Sequence, residues 1–421
     1  MFFLYEVCLY LVFFLALPFY LFAGLSRGKY LASFRQRLGV GLEPAGRRDV
    51  WVQAVSVGEV MIAHTLVDRM RLARPDLSFV ITTTTATGQE LARKQFPEDP
   101  VRYFPFDFSF ALKRFLDCFE PRLYLTVETE IWPNAVRCAA SRGVRVALAN
   151  GRISDRSFPR YRRARFFLSR VLSLYDSLIV REQQDVERLI AIGARPERLH
   201  VAGNLKFDFE PDGRPLPIAG AIAGLADGRP IFVLGSTVEG EDEQLVSILP
   251  DLFSLGYFIV MAPRKPERFS IVADLLGRQG TAFVRRSSMT APLEASTSPV
   301  RTDALLVDSI GELARVYALA RCCFIGGSLV ARGGHNPIEA AAVGTPVSFG
   351  PHMENFADIA SVFLSDGGAV EVLRPDALVA FGRLMRDDAE HDRRATLARG
   401  CVERNRGAAA RAAASLLELL R

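Results

Sequence analysis

Lysine is scarce in this 421-residue chain, and most of its basic residues are arginine. The lysines are Lys29, Lys94, Lys113, Lys206 and Lys265, among 52 basic residues in total. The formal net charge of +5 is small for this length, and no helix-turn-helix, zinc-finger or aromatic-basic pattern is present in the sequence. We therefore predict that nucleic acid is not a partner.

Metal-binding and cofactor-binding motifs are also missing from the sequence. The six cysteines form no CxxC pair and no metal-ligand spacing, and no Asp-x-Asp motif ends a predicted strand. Neither half of the chain places GxGxxG between its first strand and helix, which disfavours a dehydrogenase. We predict reduced cysteines in a cytosolic setting, no metal and no cofactor.

A long apolar run occurs at the N-terminus. Residues 1–24 contain one charged residue, Glu6, and approach the roughly 20 apolar residues that a membrane span needs. The run lacks the basic start and small-residue exit of a cleaved signal, and a cluster of cations follows it. The positive-inside rule places that flank in the cytoplasm. We predict a membrane anchor at residues 1–25; a helix packed on the protein itself is the alternative.

From Val50 onward, short apolar strands alternate with amphipathic helices, which is typical of parallel, doubly wound sheets. Residues 211–229 are rich in proline and glycine and divide this pattern into two series. We predict an α/β protein with two Rossmann-like domains at residues 26–210 and 230–421, joined by a linker at 211–229. The domains are expected to face each other across a cleft, with ligands at the carboxyl ends of the strands.

The stretch 324–347 predicts a buried strand, a glycine-rich turn, a helix that begins near Pro337, and a further strand. Glycine in the turn permits positive φ and close approach of a ligand to the backbone. Asn336 is a good N-cap, so the free N–H groups of the helix would face an anion in the turn. Glu339 could bind the vicinal hydroxyls of a ribose. A nucleotide site and a tight turn without a ligand both fit this pattern.

Acidic residues follow two strands of the first half. Ser56 and Glu59 have the spacing of a capping box, but Glu59 could equally be a general base for an acceptor hydroxyl. Glu128 and Glu130 end a later strand, where they could orient an acceptor or lie in a solvated loop. Lys206, near the predicted linker, could neutralise a substrate carboxylate or phosphate, or be an ordinary surface lysine.

Small and basic residues follow strands of the second half. Ser236 and Thr237 could bind phosphate or carboxylate oxygens, and the planar guanidinium of Arg264 suits a phosphate. The main chain near Gly311 could meet a base or ribose. Residues 152–170 are basic and aromatic. This composition fits contact with an anionic lipid or a phosphorylated glycolipid, and it also fits a solvated helix face.

These blocks, in this order, resemble the bacterial 3-deoxy-D-manno-octulosonic acid (Kdo) transferases of lipopolysaccharide synthesis. The resemblance lies in residues 53–59, 82–88, 128–134, 150–157, 203–208, 235–243, 263–269 and 326–351. It implies a GT-B fold with an N-terminal anchor in the inner membrane and catalytic domains on the cytoplasmic side. It also implies CMP-Kdo as donor, a lipid A precursor (lipid IVA) as acceptor, and an inverting, metal-independent transfer.

The resemblance also assigns roles by position. Glu59 matches the catalytic base, and Glu128 and Lys206 match residues that stabilise the transition state. The matching CMP-binding segments contain Pro263, Arg264, Ile310, Gly311, Glu312, Asn336, Pro337, Ile338 and Glu339, to which the strand-end position adds Ser236 and Thr237. The chain departs from the family at Gln53, Val238 and Lys265, where histidine is frequent.

Two other functions stay open at this point. A GT-B enzyme that uses a UDP-sugar would be protected from heat by UDP rather than by CMP. A membrane-tethered binding protein would have no turnover. Glu59→Ala separates a base from a capping residue, because loss of transfer with a retained fold supports the base.

Overall fold

The structure describes most of the chain. A computed structural model gives residues 1–27, 30–42, 46–211, 213–214, 216–289 and 302–421. Side chains within these ranges are described except at residues 17–27 and 30–32. The described chain divides into two compact units, Met1–Asp208 with Arg406–Arg421, and Phe209–Asn405.

The first unit is a parallel sheet covered by helices. Its elements are α1 (Phe2–Arg27), α2 (Tyr30–Arg37), β1 (Val50–Gln53), α3 (Val57–Ala73), β2 (Phe79–Thr83), α4 (Ala86–Gln95), β3 (Val101–Tyr103), α5 (Ser109–Phe119), β4 (Leu123–Val127), α6 (Pro133–Ala140), β5 (Arg145–Gly151), α7 (Phe158–Arg163), α8 (Arg165–Leu172), β6 (Ser177–Val180), α9 (Gln183–Ala191) and β7 (Leu199–Val201). Within the described residues the sheet has seven strands in the order β3-β2-β1-β4-β5-β6-β7.

The central strands β1, β2, β4 and β6 are buried on both faces, so they are mostly apolar rather than alternating with exposed polar residues. Val52 and Ile81 pack with Leu66 of α3 in one apolar layer. Trp51 and Tyr124 belong to the opposite layer, where their rings lie 4.2 Å apart. The predicted α/β pattern of strands and helices is therefore confirmed in this unit.

The second unit repeats the architecture. Its elements are α10 (Ala219–Ala226), β8 (Ile231–Thr237), α11 (Asp242–Ser247), α12 (Leu249–Ser254), β9 (Phe258–Pro263), α13 (Pro266–Arg278), β10 (Phe283–Arg285), β11 (Ala304–Leu306), α14 (Leu313–Val316), β12 (Cys322–Ile325), α15 (Ile338–Ala342), β13 (Val347–Phe349), α16 (Ala357–Ser365), β14 (Ala369–Glu371), α17 (Pro375–Leu384) and α18 (Asp388–Asn405). The described strands form a parallel seven-stranded sheet in the order β10-β11-β9-β8-β12-β13-β14. Helix α10 lies within the predicted linker, of which residues 212 and 215 fall outside the described residues.

The end of the chain differs from the domain prediction, which assigned everything after residue 230 to the second domain. Helix α19 (Ala408–Glu418) belongs to the first unit and packs its buried alanines into the same apolar layer as Leu66 of α3. The Asp208 carboxylate accepts the backbone N–H groups of Gly407 and Ala409 at 2.5 Å, which satisfies donors at the start of α19. The second half of the chain thus returns to complete the first core.

Helix α1 packs one side on the first unit. The Tyr5 hydroxyl donates to Asp107 Oδ2 at 2.9 Å, and Glu6 accepts the Ser109 N–H at 3.0 Å. The Tyr10 ring stacks on Phe108 with centroids 4.8 Å apart. The alternative of a helix packed on the protein itself therefore describes the first half of α1.

The other side of α1 exposes apolar side chains. They are Phe3, Leu4, Val7, Leu11, Val12, Phe14 and Leu15. Among the described residues, no helix has both the length and the apolar character needed to cross a membrane. From residue 17 onward, the side chains of the predicted anchor lie outside the described residues.

Candidate active site

Glu59 lies at the carboxyl end of β1, in the first turn of α3. Its Oε2 accepts the Val55 N–H at 2.7 Å, and its Oε1 accepts the Ser56 hydroxyl at 3.0 Å. The residue is 8% exposed. The predicted capping box is not formed, because the Ser56 side chain makes no cap of the helix and Glu59 accepts the N–H of Val55 rather than that of Ser56.

The environment of Glu59 changes its proton affinity. Burial raises the pKa of Glu59 from 4.5 to about 7, the charges of Glu130 and Glu128 add to the rise, and the bonds from Val55 and Ser56 oppose it. A carboxylate with a pKa near 7 combines a useful ionised fraction at neutral pH with a strong affinity for a proton. The position is therefore suited to general-base chemistry as well as to supporting the helix start.

Glu128 and Lys206 meet at the same sheet edge. Glu128 directly follows β4 and has a left-handed backbone with φ of 60°. Its Oε1 lies 3.3 Å from Lys206 Nζ, and Lys206 belongs to a short 3-10 turn at Leu205–Asp208. The structure thus brings two of the sequence-predicted catalytic residues into an ion pair, and the effect of Glu128 on the pKa of Glu59 links the third to them.

Arg181 joins this cluster, and sequence reasoning missed it. It follows β6 directly, and its guanidinium donates from Nη2 to Glu128 Oε1 at 2.7 Å. The Arg181 side chain is 5% exposed. The signal that could have found it is its place directly after a strand, the same criterion that selected Glu128, but a single arginine is inconspicuous in so arginine-rich a chain.

The predicted site residues of the second unit lie at or just after the carboxyl ends of four neighbouring strands, β11, β9, β8 and β12. Ser236 has φ of 57° where the pairing of β8 with β9 shifts register, and its side chain is partly exposed. Thr237 is fully buried. Arg264 is exposed after the buried Pro263, and its N–H donates to the Thr237 carbonyl at 2.9 Å. Of this group, Arg264 and Ser236 present side chains to solvent.

The glycine-rich turn after β12 is already occupied by an anion of the protein itself. Glu241 is fully buried and accepts the N–H groups of Gly327 at 2.6 Å, Ser328 at 3.1 Å and Leu329 at 2.9 Å. These three N–H groups are therefore satisfied within the protein. The predicted anion site concerns instead the N–H groups at the start of the helix that follows the turn, and it stays a prediction. The sequence predicted no role for Glu241, because the N–H groups that it binds lie more than 80 residues further along the chain.

The segment that follows the turn is built mostly as expected. Helix α15 begins at Ile338, one residue after the predicted start, and Asn336 Oδ1 accepts the Ile338 N–H at 3.1 Å. Pro337 and Ile338 are buried. Burial raises the pKa of Glu339, while the bond from Asn336 and the charge of Arg264 oppose the rise. Glu339 is therefore within electrostatic reach of Arg264.

His335 is a second residue that sequence reasoning missed. Burial, together with the charge of Arg264, lowers the pKa of His335 from 6.5 to about 4. Its imidazole is therefore neutral at physiological pH. The ring lies against Gly327, which has φ of 72°, and an added Cβ there would lie 3.0 Å from the imidazole, so glycine is favoured at this position. His335 and Glu339 lie on either side of the start of α15, and the charge of Arg264 acts on the pKa of both.

The predicted segment at residues 310–312 follows β11. Ile310 is 69% exposed and Gly311 has φ of 91°. Although burial alone would raise it, the pKa of Glu312 is lowered by hydrogen bonds from Arg286 and Ser309. The Arg286–Glu312 ion pair has an N···O distance of 3.0 Å. The Glu312 carboxylate is thus engaged within the protein, and the exposed backbone beside it is what this segment offers a ligand.

The basic segment 152–170 forms a surface next to α1. Arg160, Arg162 and Arg163 are exposed, and Phe166 is 70% exposed. Phe167 turns inward and packs on the α1 rings of Phe2 and Tyr5, with centroids 5.8 and 5.5 Å apart. Phe167 therefore joins the basic segment to α1, so the exposed apolar side chains of α1 and the exposed arginines lie on neighbouring elements of the first unit.

Comparison with known proteins identifies the family. A profile of the 3-Deoxy-D-manno-octulosonic-acid transferase (kdotransferase) family matches residues 32–209. A 3-deoxy-D-manno-octulosonic acid transferase of Haemophilus influenzae is 34% identical over 378 residues, which cover 88% of this chain and 86% of that protein. The chain belongs to the Kdo transferase family. A Bordetella pertussis relative of the same name is 36% identical over 357 residues, covering 82% of this chain and 80% of the relative. This Kdo transferase family member is a glycosyltransferase, as predicted.

Solved structures agree on the fold. A glycosyltransferase of Rickettsia africae matches with a TM-score of 0.58 at 11% identity, covering 89% of this chain and 99% of that one. A UDP-GlcNAc 2-epimerase of Neisseria meningitidis matches with a TM-score of 0.60 at 12% identity, covering 88% and 99%. At such identities the likeness establishes the fold alone. The Kdo transferase family member thus has two parallel-sheet α/β domains of the GT-B type.

Proposed function

We propose that the protein transfers Kdo from CMP-Kdo to a lipid A precursor in a single inverting displacement, with Glu59 as the general base. The observation that carries the proposal is the buried Glu59 carboxylate, whose pKa of about 7 suits removal of a proton from an acceptor hydroxyl. As the hydroxyl oxygen attacks the anomeric carbon, its proton passes to Glu59 and the bond from that carbon to the CMP phosphate breaks. Family membership supports the choice of sugar.

The departing cytidylate needs positive charge and hydrogen-bond donors. We assign this role to the second unit, where the exposed guanidinium of Arg264 can pair with a phosphate. The half-buried Glu339 carboxylate could accept hydrogen bonds from ribose hydroxyls, and Ser236 could donate to the sugar carboxylate. The exposed backbone at Ile310 and Gly311 could contact the base. In the first unit, Lys206 could pair with the carboxylate of Kdo.

The direct test is to incubate the purified protein with CMP-Kdo and tetraacylated lipid A precursor and to weigh the lipid product by mass spectrometry. We expect the lipid mass to rise by one or more Kdo residues, and we expect no rise with Glu59→Gln. Thermal stabilisation by CMP but not by UDP would support the donor. Stabilisation by UDP alone, with no Kdo-bearing product, would refute it in favour of a UDP-sugar enzyme.

We also propose that α1 and the basic segment hold the enzyme on the cytoplasmic face of the inner membrane, where the lipid acceptor lies. Apolar side chains such as Leu11 and Leu15, 60% and 82% exposed, would enter the acyl region. The exposed arginines at 160, 162 and 163 would meet anionic headgroups.

Flotation with phosphatidylglycerol–phosphatidylethanolamine vesicles tests this attachment. The variant Leu11→Glu/Leu15→Glu should bind the vesicles at least about tenfold more weakly, because burying two charges in the acyl region is costly. Leu72→Glu is the matched control, since Leu72 is 74% exposed on α3. Equal binding of the double variant and the control would contradict the proposal.

A further inference from the structure

The Glu128 carboxylate is held by two cations on one oxygen atom. Arg181 Nη2 lies 2.7 Å from Glu128 Oε1, and Lys206 Nζ lies 3.3 Å from the same atom. The shorter contact belongs to Arg181, whose side chain is 5% exposed, against 21% for Lys206. A hydrogen bond between ionised groups in so buried a place is strong, so Arg181 is the principal holder of this carboxylate.

The backbone around the cluster fixes its members. The Arg181 N–H donates to the Gly151 carbonyl at 3.2 Å, and its guanidinium Nε donates to the Asn150 carbonyl at 3.4 Å. Asn150 in turn accepts, through Oδ1, the N–H of Leu205 at 3.0 Å, next to Lys206. Asn150 has φ of 60°, as does Glu128, and non-glycine residues rarely hold such a backbone unless the surroundings require it. Arg181 and Lys206 are therefore aimed at Glu128 from one rigid sheet edge.

The charge of the cluster distinguishes the two cations. Other carboxylates lie near the cluster. The charge of Glu128 raises the pKa of Glu59 and of Glu130, and the charge of Arg181 opposes the rise in the pKa of Asp185. If Lys206 were the only cation facing Glu128, the ion pair would neutralise the charge of the ammonium, which would then attract another anion only weakly. A second, buried and permanently charged guanidinium on the same oxygen leaves the more exposed ammonium with attraction for another anion.

We propose that Arg181 is a positioning residue for the transfer reaction. It fixes and neutralises the Glu128 carboxylate, so that the Lys206 ammonium can bind an anionic group of the substrate, a carboxylate or a phosphate. The inference rests on the proposed function for the identity of that substrate. It assigns to Arg181 a role that acts through Glu128 and Lys206 and requires no contact with substrate.

A double-mutant cycle tests whether Arg181 acts through Glu128. The kcat/KM for the donor is measured in the wild type, Arg181→Gln, Glu128→Gln and the double variant, each with its melting temperature. Arg181→Gln should lower kcat/KM at least about tenfold, mostly through KM, whereas adding it to Glu128→Gln should cost less than about twofold. Arg181→Lys should recover part of the loss. The same factor in both backgrounds would overturn the proposal.

The matched control is Arg145→Gln, because Arg145 pairs with Asp176 at 2.9 Å at the start of β5. Its kcat/KM should stay within about twofold of wild type, which separates the role of Arg181 from the loss of any ion pair. The proposal would be wrong if the kcat/KM of Arg181→Gln fell no further than that of this control. It would also be wrong if the fall in kcat/KM came with a fall in melting temperature that Arg181→Lys did not restore, because the role of Arg181 would then be structural.

A readout without substrate separates this inference from the proposed function. Lys206 is acetylated with a limiting amine-reactive reagent, and its modification rate is followed by mass spectrometry of peptides. In Arg181→Gln, Glu128 attracts the Lys206 ammonium without competition from the guanidinium, so the modification rate should fall about tenfold and recover when Glu128→Gln is added. An unchanged rate would refute the inference even in an active enzyme. An inactive wild type showing the expected rates would refute the proposed function alone.

Discussion

Replacing Glu59 by glutamine removes a proton acceptor while keeping the shape of the side chain. The wild-type carboxylate accepts hydrogen bonds from the Val55 N–H and the Ser56 hydroxyl. In glutamine the amide oxygen can accept the Val55 N–H, and the NH2 group can donate to the Ser56 hydroxyl oxygen, which reverses the second bond. We expect transfer activity to fall by about 10²- to 10⁴-fold, the usual contribution of a positioned general base.

The same substitution should not destabilise the fold at alkaline pH. The pKa of Glu59 rises from 4.5 to about 7 on folding, and a tenfold change in proton affinity is worth about 1.4 kcal/mol. Ionised Glu59 therefore costs the folded state roughly 3 kcal/mol above pH 7, and this cost disappears as the pH falls towards 4.5. Glutamine avoids the cost, but its hydrogen bonds no longer involve a charged acceptor, which is a loss of about 1 kcal/mol.

Urea unfolding at pH 5 and pH 8, beside the transfer assay, measures both effects. Glu59→Gln should match the wild type within about 1 kcal/mol at pH 5 and be more stable by about 1–3 kcal/mol at pH 8. Activity above a tenth of wild type would refute the base. A destabilised variant at pH 8 would refute the burial argument and leave helix support as the function of this carboxylate.

Three further predictions follow from the described contacts. The kcat/KM of the wild type should rise as the pH increases through about 7, because Glu59 must be ionised to accept a proton, and a flat profile from pH 5.5 to 8 would contradict this. Arg264→Ala should raise the KM for the donor at least about tenfold, while Lys265→Ala, one residue away, should change it less than about threefold; equal effects would contradict a phosphate contact. In urea unfolding, Glu241→Ala should lower the free energy of unfolding by about 2–4 kcal/mol, because three buried N–H groups lose their acceptor. The control Glu239→Ala should be near neutral, since the Glu239 side chain is 72% exposed. A neutral Glu241→Ala would show that the turn needs no anion.

Much of the fold could be predicted because its signals are local. Apolar strands such as 50–53 and 322–325, set between amphipathic helices, predict parallel α/β domains without knowledge of any distant contact. Parallel strands also align their carboxyl ends, so residues that directly follow them, such as Glu128 and Arg264, can be placed at a common edge from the sequence.

The wrong or missing predictions involve partners far apart in the chain. Nothing near Glu241 in sequence indicates that it is bound by backbone N–H groups about 90 residues later, although the turn at 326–329 looks like an open anion site. Helix α19 has the composition of any amphipathic helix, and its return to the first unit depends on Asp208 and on an apolar layer that forms only on folding.

The amino-acid sequence by itself determined the two α/β series, the family blocks and the strand-end positions of Glu59 and Glu128, because periodicity and order along the chain are enough to specify them. The tertiary structure alone decided how each carboxylate behaves. Burial beside other carboxylates raises the pKa of Glu59, and a guanidinium from another strand holds Glu128. Proton affinity depends on the solvent and charge around a group, and only the folded chain brings those surroundings together.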